Sequence, residues 1–592
     1  MRPSTFAFHL ALLSHLALGC SSESAESEPG TTPGNDAGSC GDACGDAGPS
    51  EDAPSHMDSA DAPTTLSDAE STIPKQPNIV FILLDDLDQL VTPYWEVMTQ
   101  TAALLRDPGL TFEQSFSPNP ICCPARATLL TGLCSHNTGV MTNKGEFGGW
   151  NAFRDPLDEN GNPMVDGAGN PIDNETRTVG VYLQQAGYRT AMIGKYLNGY
   201  DGTATPPGWT DWHVFATEEG KGETPGASTY YTGYNYLMVH SRDGSSTQVA
   251  KYGEAEEDYN TDVVRDEAID FVQRSKGAPF FMVLAPTAPH GPLRAAPRHA
   301  SLVPQWVGKL PKRPNYNEED LSDKSEWLRK AGPALAKVMA IDASHDLWDT
   351  PDSAYHNMYF LFPEAEFPNR MGSLYAVDEL VADIVAEVAA AGELDRTIFF
   401  FAGDNGYNQG AHRLIEKQTP YEEALRVPLV VAGPGVRAGV SQAMVTQQDY
   451  APTFFELAGI PIPDHVNGRS FVPVLEQPHA IESMGRDLLI ENRAAGGEVE
   501  AEVPYPLEPT QTNFLRQFIP PSYRGLRTRT HTFIEWHWSE PHELELYDLT
   551  QDPFQLDNLL ATPAGQDQNA SLVESLQDRL DQLRNCVGQS CL

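Results

Sequence analysis

Basic residues are scarce in this chain. Lysine and arginine together number 39 against 82 aspartates and glutamates, a formal net charge of −43 over 592 residues. That deficit excludes nucleic acid as an expected partner, because phosphate binding needs a basic face. It also means that an anionic substrate is repelled by the overall field unless its pocket is locally basic. No run of lysine or arginine is long enough to build a docking surface for a long polyanion. Long apolar runs are missing too. The stretch from Phe6 to Leu18 is interrupted by His9, Ser14 and His15 and is too short to span a bilayer as a permanent helix. No internal repeat is evident, so a repeat array is not expected.

What the N-terminus does contain reads as an export signal: Arg2, the broken apolar run, then Gly19-Cys20. Leu16-Ala17-Leu18-Gly19-Cys20 resembles a bacterial lipobox with Ala17 where leucine is usual, so residues 1–20 are expected to direct export with a lipid anchor at Cys20. Plain secretion or a periplasmic location is the alternative. Eight cysteines fit an exported protein. Cys586 with Cys591 and Cys40 with Cys44 are candidate short-loop disulfides, whereas the pairing of Cys123 and Cys134 stays open. Residues 21–75 hold twelve acids against Lys75 and almost no apolar surface, the composition of a disordered tether.

From Pro77 the chain repeats one design, in which short apolar runs typical of strands buried on both faces each end in polar residues. Asn78–Leu84 ends in Asp85-Asp86, Tyr188–Ile193 in Gly194-Lys195, Phe280–Ala285 leads to His290, and Ile398–Gly403 to Asp404-Asn405. Helical spacing separates them at Thr261–Arg274 and Met371–Ala391, and Val427–Ala432 is a further strand. Strands alternating with helices predict an α/β fold whose ligands gather outside the carboxyl ends of the strands, so these polar termini should converge. Tyr450–Gly459 reads as a helix. Residues 200–260 and 300–370, rich in Gly, Pro, Tyr and Trp, read as loops walling the pocket. A break rich in Glu and Pro at 496–521 precedes a hairpin over 525–538, a strand at Leu544–Leu549 and a closing helix at Ser571–Leu583. The expected organisation is a catalytic domain over 76–475 and a small α+β subdomain over 476–592.

One stretch organises the rest: Cys122-Cys123-Pro124-Ala125-Arg126-Ala127-Thr128-Leu129-Leu130-Thr131-Gly132. Pro124 suits a first helical turn and Gly132 a helix end, which places Cys122 just ahead of an anion-attracting helix N-terminus with Arg126 one turn on. Alone, such a motif is more often a buried cysteine pair before an ordinary helix. Asp85, Asp86, Asp404 and Asn405 offer four oxygen ligands from two strand ends, a set suited to a hard cation such as calcium or magnesium rather than zinc.

The Cys-x-Pro-x-Arg stretch with Thr131-Gly132 resembles the signature of the sulfatases, as do Pro77-Asn78-Ile79-Val80 leading to Asp85-Asp86 and the later Asp404-Asn405-Gly406. That resemblance implies the alkaline-phosphatase-like fold, with a large, mostly parallel mixed sheet flanked by helices. It implies that Cys122 is converted to formylglycine by a formylglycine-generating enzyme, and that Asp85, Asp86, Asp404 and Asn405 hold calcium beside residue 122. Lys195, His290 and Lys417 match positions that grip the sulfate or protonate the leaving oxygen. Many members carry a histidine two residues after the lysine matched by Lys195; Leu197 stands there, and the adjacent Asn198 is expected to take over part of that role, with His412 a further candidate substrate contact. In the implied mechanism a hydroxyl of hydrated formylglycine attacks sulfur, Lys195, Lys417 and the cation neutralise the sulfuryl oxygens, and His290 protonates the departing oxygen. Gly194-Lys195-Tyr196-Leu197-Asn198-Gly199-Tyr200, Pro207-Gly208-Trp209, Asp404-Asn405-Gly406-Tyr407 and Arg426-Val427-Pro428 are similar to N-acetylglucosamine-6-sulfatases and heparan-sulfate 6-O-endosulfatases. The implied partner is a sulfated sugar or glycosaminoglycan fragment. An arylsulfatase, a phosphonate or phosphate-ester hydrolase, and an inactive glycan-binding lipoprotein are the competing readings.

Overall fold

In β1 (Asn78–Leu84) every residue is buried, because both faces of the strand are covered. Ile79, Phe81 and Leu83 belong to one core cluster with Phe454 and Leu129, while Val80, Ile82 and Leu84 belong to another with Met371, Leu374 and Phe271. This explains a continuous apolar run where a half-exposed strand would alternate. The structure is a computed structural model that describes residues 72–217, 230–339, 362–480, 484–494, 519–537 and 541–592. The export signal, the tether, Cys20, the Cys40–Cys44 pairing and most of the 496–521 break lie outside the described residues. All described residues fall in one compact unit, Ala69–Leu592.

The main sheet has ten strands: β1, β2 (Leu110–Phe116), β3 (Arg189–Gly194), β4 (Asp211–Ala216), β5 (Leu237–Ser241), β6 (Gln248–Lys251), β7 (Phe280–Ala285), β8 (Thr397–Gly403), β9 (Leu429–Ala432) and β10 (Gly439–Thr446). Their order is β10-β2-β9-β8-β1-β7-β3-β4-β5-β6. The central run β8-β1-β7-β3-β4 is parallel, and antiparallel pairs occur at β9 and along β4-β5-β6. One face carries α1 (Cys122–Thr131), and the other is covered by α2 (Asn260–Ser275) and the long α3 (Pro363–Ala390), with α4 (Tyr450–Leu457) packing beside α1.

The predicted central strands are present within a residue or two. Two stretches read as loops contain regular structure: β4, β5 and β6 lie within 200–260, and a helix at Glu326–Met339 lies within 300–370. The reason is positional. β6 is an edge strand with mostly exposed side chains, so no apolar run betrays it. α3 starts eight residues before the expected Met371, with Pro363 in its first turn, and runs on through Pro368, which sequence reasoning treats as a helix breaker. The C-terminal part forms a second, antiparallel sheet of β11 (Leu488–Asn492), β12 (Tyr523–Arg527), β13 (His531–Trp536) and β14 (Glu543–Asp548), closed by α5 (Pro563–Leu583). Cys586 and Cys591 are disulfide-bonded, while Cys123 and Cys134 are buried and form no disulfide.

Candidate active site

Four neighbouring parallel strands end on the same side of the sheet, and each contributes a functional side chain. Backbone bonds fix the positions: Asp404 N–H donates to Leu84 O (3.0 Å), Asp85 N–H to Ala288 O (3.2 Å) and Lys195 N–H to Ala285 O (2.8 Å). Gly194 has φ 109°, and a Cβ there would lie 2.1 Å from Ala285 O, so only glycine lets β3 turn Lys195 inward at this point.

Cys122 is the first residue of α1 itself rather than just ahead of it, and it is fully buried. Its Sγ lies 3.6 Å from Asp85 Oδ1 and 3.1 Å from Lys417 Nζ. Ile121 supplies no side-chain cap to the helix, and Asn143 Oδ1 accepts from Cys123 N–H (2.8 Å). Lys195 Nζ donates to Asp85 Oδ2 at 2.7 Å, and Lys417 Nζ donates to Asp86 Oδ1. His290 Nε2 lies 3.5 Å from Asp86 Oδ2, so the structure gathers Asp85, Asp86, Cys122 and His290 into one buried group. Two hollows, of ≈ 390 and ≈ 770 Å³, lie elsewhere on the surface and are lined by none of these residues.

Arg126 does not extend toward a ligand as its spacing suggested. It is buried against Asp404, with Nε and Nη2 both 2.9 Å from Oδ2, and Nη1 donates to Lys195 O at 2.7 Å. Its work is to fix carboxylates, and Asp404 Oδ1 in turn accepts from the N–H groups of Asp86 (3.0 Å) and Asn405 (2.7 Å).

The electrostatics are those of crowded charge in a buried site. Burial would raise the Asp85 pKa, but Lys195, His290, Arg126 and Lys417 together hold it well below the usual carboxylate range. Asp404 is pushed up by burial and by Asp85, against the pull of Arg126. Burial disfavours the charged form of His290 and Lys417 works the same way, yet Asp86, Asp85 and the contact with Cys122 together outweigh them and hold the pKa well above the ordinary value.

The donor set fits a hard divalent cation. Asp85, Asp86, Asp404 and Asn405 are all essentially buried oxygen bearers, and Asn405 Oδ1 has no hydrogen-bond partner although its Nδ2 donates to Asp86 Oδ1 (2.7 Å) and Gly406 O (3.0 Å). A buried acceptor left open beside three carboxylates is what a cation would satisfy.

The two predicted substrate contacts are both buried. His412 is buried with Nδ1 on Glu318 Oε2 (2.5 Å), Nε2 near Asn315 Nδ2 (3.3 Å) and its ring against Tyr421, so it faces that cluster and not the carboxylates. Asn198 is buried, and its carbonyl accepts from Trp150 N–H at 2.7 Å. Sequence reasoning missed two participants. Tyr231 stacks on His290 with ring centroids 4.3 Å apart and lies 4.9 Å beneath Lys195 Nζ. Arg370, buried on α3, donates to Asp86 O and to Pro289 O (3.4 Å) and packs on Tyr407. Both lie in stretches read as loops, with only an unusual density of tyrosines around 230 as a signal.

With the site described, its class follows: the sulfatase family model matches residues 77–460, and the chain belongs to that family. Among individual relatives, it is 32% identical to an extracellular sulfatase SULF-1 homolog of Drosophila melanogaster over 71% of this chain, which spans only 33% of that relative. It is 29% identical to the N-acetylglucosamine-6-sulfatase of Capra hircus over 87% of this chain and 85% of the relative. A solved structure described as a complex with its substrate D-glucosamine-2-N,6-O-disulfate shares the fold with a TM-score of 0.61 at 23% identity, over 86% of this chain and 97% of that one.

Proposed function

We propose that this chain is an exported sulfatase that removes the 6-O-sulfate from N-acetylglucosamine-type sugars, short or at a chain end. In this reading it uses formylglycine made from Cys122 and one divalent cation, calcium rather than zinc. The observation that carries the reading is the placement of Cys122 Sγ at the start of α1, between Lys417 Nζ and Asp85, with Lys195 and His290 around the same carboxylates. The sugar assignment is supported by the N-acetylglucosamine-6-sulfatase likeness over most of the chain. Export, with a lipid anchor at Cys20, rests on residues 1–20 alone.

Asp85, Asp86, Asp404 and Asn405 would hold the cation, which supplies Lewis-acid polarisation and neutralises charge on a bound sulfate. Formylglycine supplies a hydrated aldehyde whose second hydroxyl lets sulfate depart, a route closed to an ordinary serine or cysteine ester. Lys195 and Lys417 present ammonium groups to the sulfuryl oxygens and offset the acidic field of the whole chain. Arg126 holds Asp404 and the Lys195 carbonyl in place. His290, whose protonated form Asp86 and Asp85 together favour, is positioned to give its proton to the departing sugar oxygen.

That role makes a distinguishing prediction. His290→Ala should lower turnover of a sugar sulfate by ~10²–10⁴, the usual worth of a general acid, and that of an aryl sulfate much less, because a phenolate leaves with little help. Equal losses on the two substrates would remove the general-acid assignment. The substrate class is tested by comparing N-acetylglucosamine-6-sulfate, a heparan oligosaccharide, intact heparin, an aryl sulfate and an aryl phosphate diester at low and moderate salt. The first two should be turned over best. Preference for intact heparin at low salt would overturn the short-substrate reading, since the negative field should repel long polyanions most when unscreened. Activity confined to the aryl sulfate would remove the sugar, and preference for the phosphate diester would remove sulfatase action.

A further inference from the structure

Near the β6 edge of the main sheet, β4 and β5 pair antiparallel with His213 directly opposite His240. Their Nδ1 atoms are 2.8 Å apart. Glu267, from α2, closes a third side, with Oε2 3.5 Å from His213 Nδ1 and Oε1 3.4 Å from His240 Nδ1. His213 is fully buried, and the side chains of His240 and Glu267 are 16% and 13% exposed. Three elements thus bring two imidazole nitrogens and one carboxylate oxygen within 4.8 Å of one another.

His240 is also oriented from behind, with Nε2 3.2 Å from the Tyr252 hydroxyl, while the Asp211 carboxylate stands 3.6 Å from His213 Nε2, beyond hydrogen-bond range. A carboxylate or hydroxyl on the far nitrogen is the arrangement that fixes tautomer and direction in metal-ligating histidines. Arg242 binds Glu267 Oε2 at 2.6 Å, which steadies the carboxylate while Oε1 faces His240. None of these residues has a part in the hydrolysis described above.

We propose that His213, His240 and Glu267 form a second metal site, which takes a borderline-soft divalent ion, zinc above others, and not calcium. Two imidazoles and a carboxylate are a zinc ligand set, whereas the catalytic cluster offers hard oxygen donors. Zinc–nitrogen bonds of about 2.0–2.1 Å in tetrahedral geometry put ligand nitrogens roughly 3.3 Å apart, so the rings need to separate by only about half an ångström. A water completes the fourth position.

The site has a structural consequence for the chain. It ties β4, β5 and α2 together, and the connection from β4 to β5 carries Tyr231, the ring stacked on His290. A bound ion would therefore steady one wall of the catalytic cluster from outside it.

The test uses the full chain, stripped with chelator and dialysed against zinc chloride in the presence of excess calcium, which occupies the hard-oxygen cluster. Zinc content is then measured by mass spectrometry of the metal, and thermal midpoints are recorded with and without zinc. Wild type should keep one more zinc per chain than His240→Gln, and its midpoint alone should rise with zinc. His240→Cys, which restores a ligand, should recover the binding. Retained aryl-sulfate hydrolysis shows that each variant is folded; if His240→Gln does not fold, Glu267→Gln takes its place under the same criterion. Because the comparison is a difference between variants, zinc held by other cysteine or histidine clusters cancels. Equal zinc in wild type and in a folded variant, or none in either, would overturn the proposal.

Discussion

Cys122→Ala is expected to abolish sulfate-ester hydrolysis, with a loss on the order of 10⁶ in kcat, the scale seen when a nucleophile is removed from an intact site. The substitution removes the thiol, or the aldehyde made from it, from a fully buried position at the start of a helix that is otherwise held by Leu129 and Leu130 in the core. Alanine is a better helix former than cysteine, which offsets part of the lost contact. The thermal midpoint should therefore stay close to that of wild type. Cys122→Ser distinguishes a hydroxyl from a hydrated aldehyde: a serine ester has no second hydroxyl with which to expel sulfate, so at most one turnover per chain is expected. Mass spectrometry of the peptide holding residue 122 completes the test. If fully active protein carries only unmodified cysteine there, formylglycine is not the nucleophile.

The catalytic strands were legible because burial on both faces writes an uninterrupted apolar run, and a polar residue at its end then has one place to go. Asp85, Lys195, His290 and Asp404 were found this way, and the structure brings their strand ends together. Orientation was not legible. Arg126 lies one helical turn from Cys122, a spacing compatible with facing a ligand or facing Asp404, and only the packed structure gives it to Asp404. His412 illustrates the same limit, since a histidine five residues before Lys417 is drawn by Glu318 from a segment with no periodic signal of its own. Arg370 and Tyr231 act through contacts across the sheet ends, which no local pattern encodes. The edge strand β6 escaped for the opposite reason: an edge tolerates polar side chains, so its sequence looks like loop, while β5, paired on both sides, is only five residues long inside a stretch rich in Gly and Tyr. His213 and His240 are 27 residues apart and become neighbours only through the β4–β5 register.

Asp404 carries the second large effect, because one carboxylate serves both charge balance and cation binding. At the end of β8 it accepts from Asp86 N–H and Asn405 N–H with Oδ1 and from Arg126 with Oδ2. Asp404→Ala leaves the Arg126 guanidinium buried with its nearest remaining carboxylate, Asp85, at 3.6 Å, and leaves the Asp86 N–H without its acceptor. Breaking a buried ion pair from one side costs about 3–5 kcal/mol, so a lower denaturation midpoint is expected along with a loss of activity of several orders of magnitude. The two effects separate in Asp404→Asn. The amide keeps an oxygen for the two backbone donors, but its NH₂ then faces Arg126, and the cation loses a full negative charge. That variant should need far more calcium to reach its residual rate, a dependence measured by titrating calcium into chelator-treated protein and following both hydrolysis and heat of binding. Wild-type rates for either variant in chelator-treated buffer would show that Asp404 holds no catalytic cation. An unchanged calcium requirement in Asp404→Asn with a reduced midpoint would confine its role to anchoring Arg126.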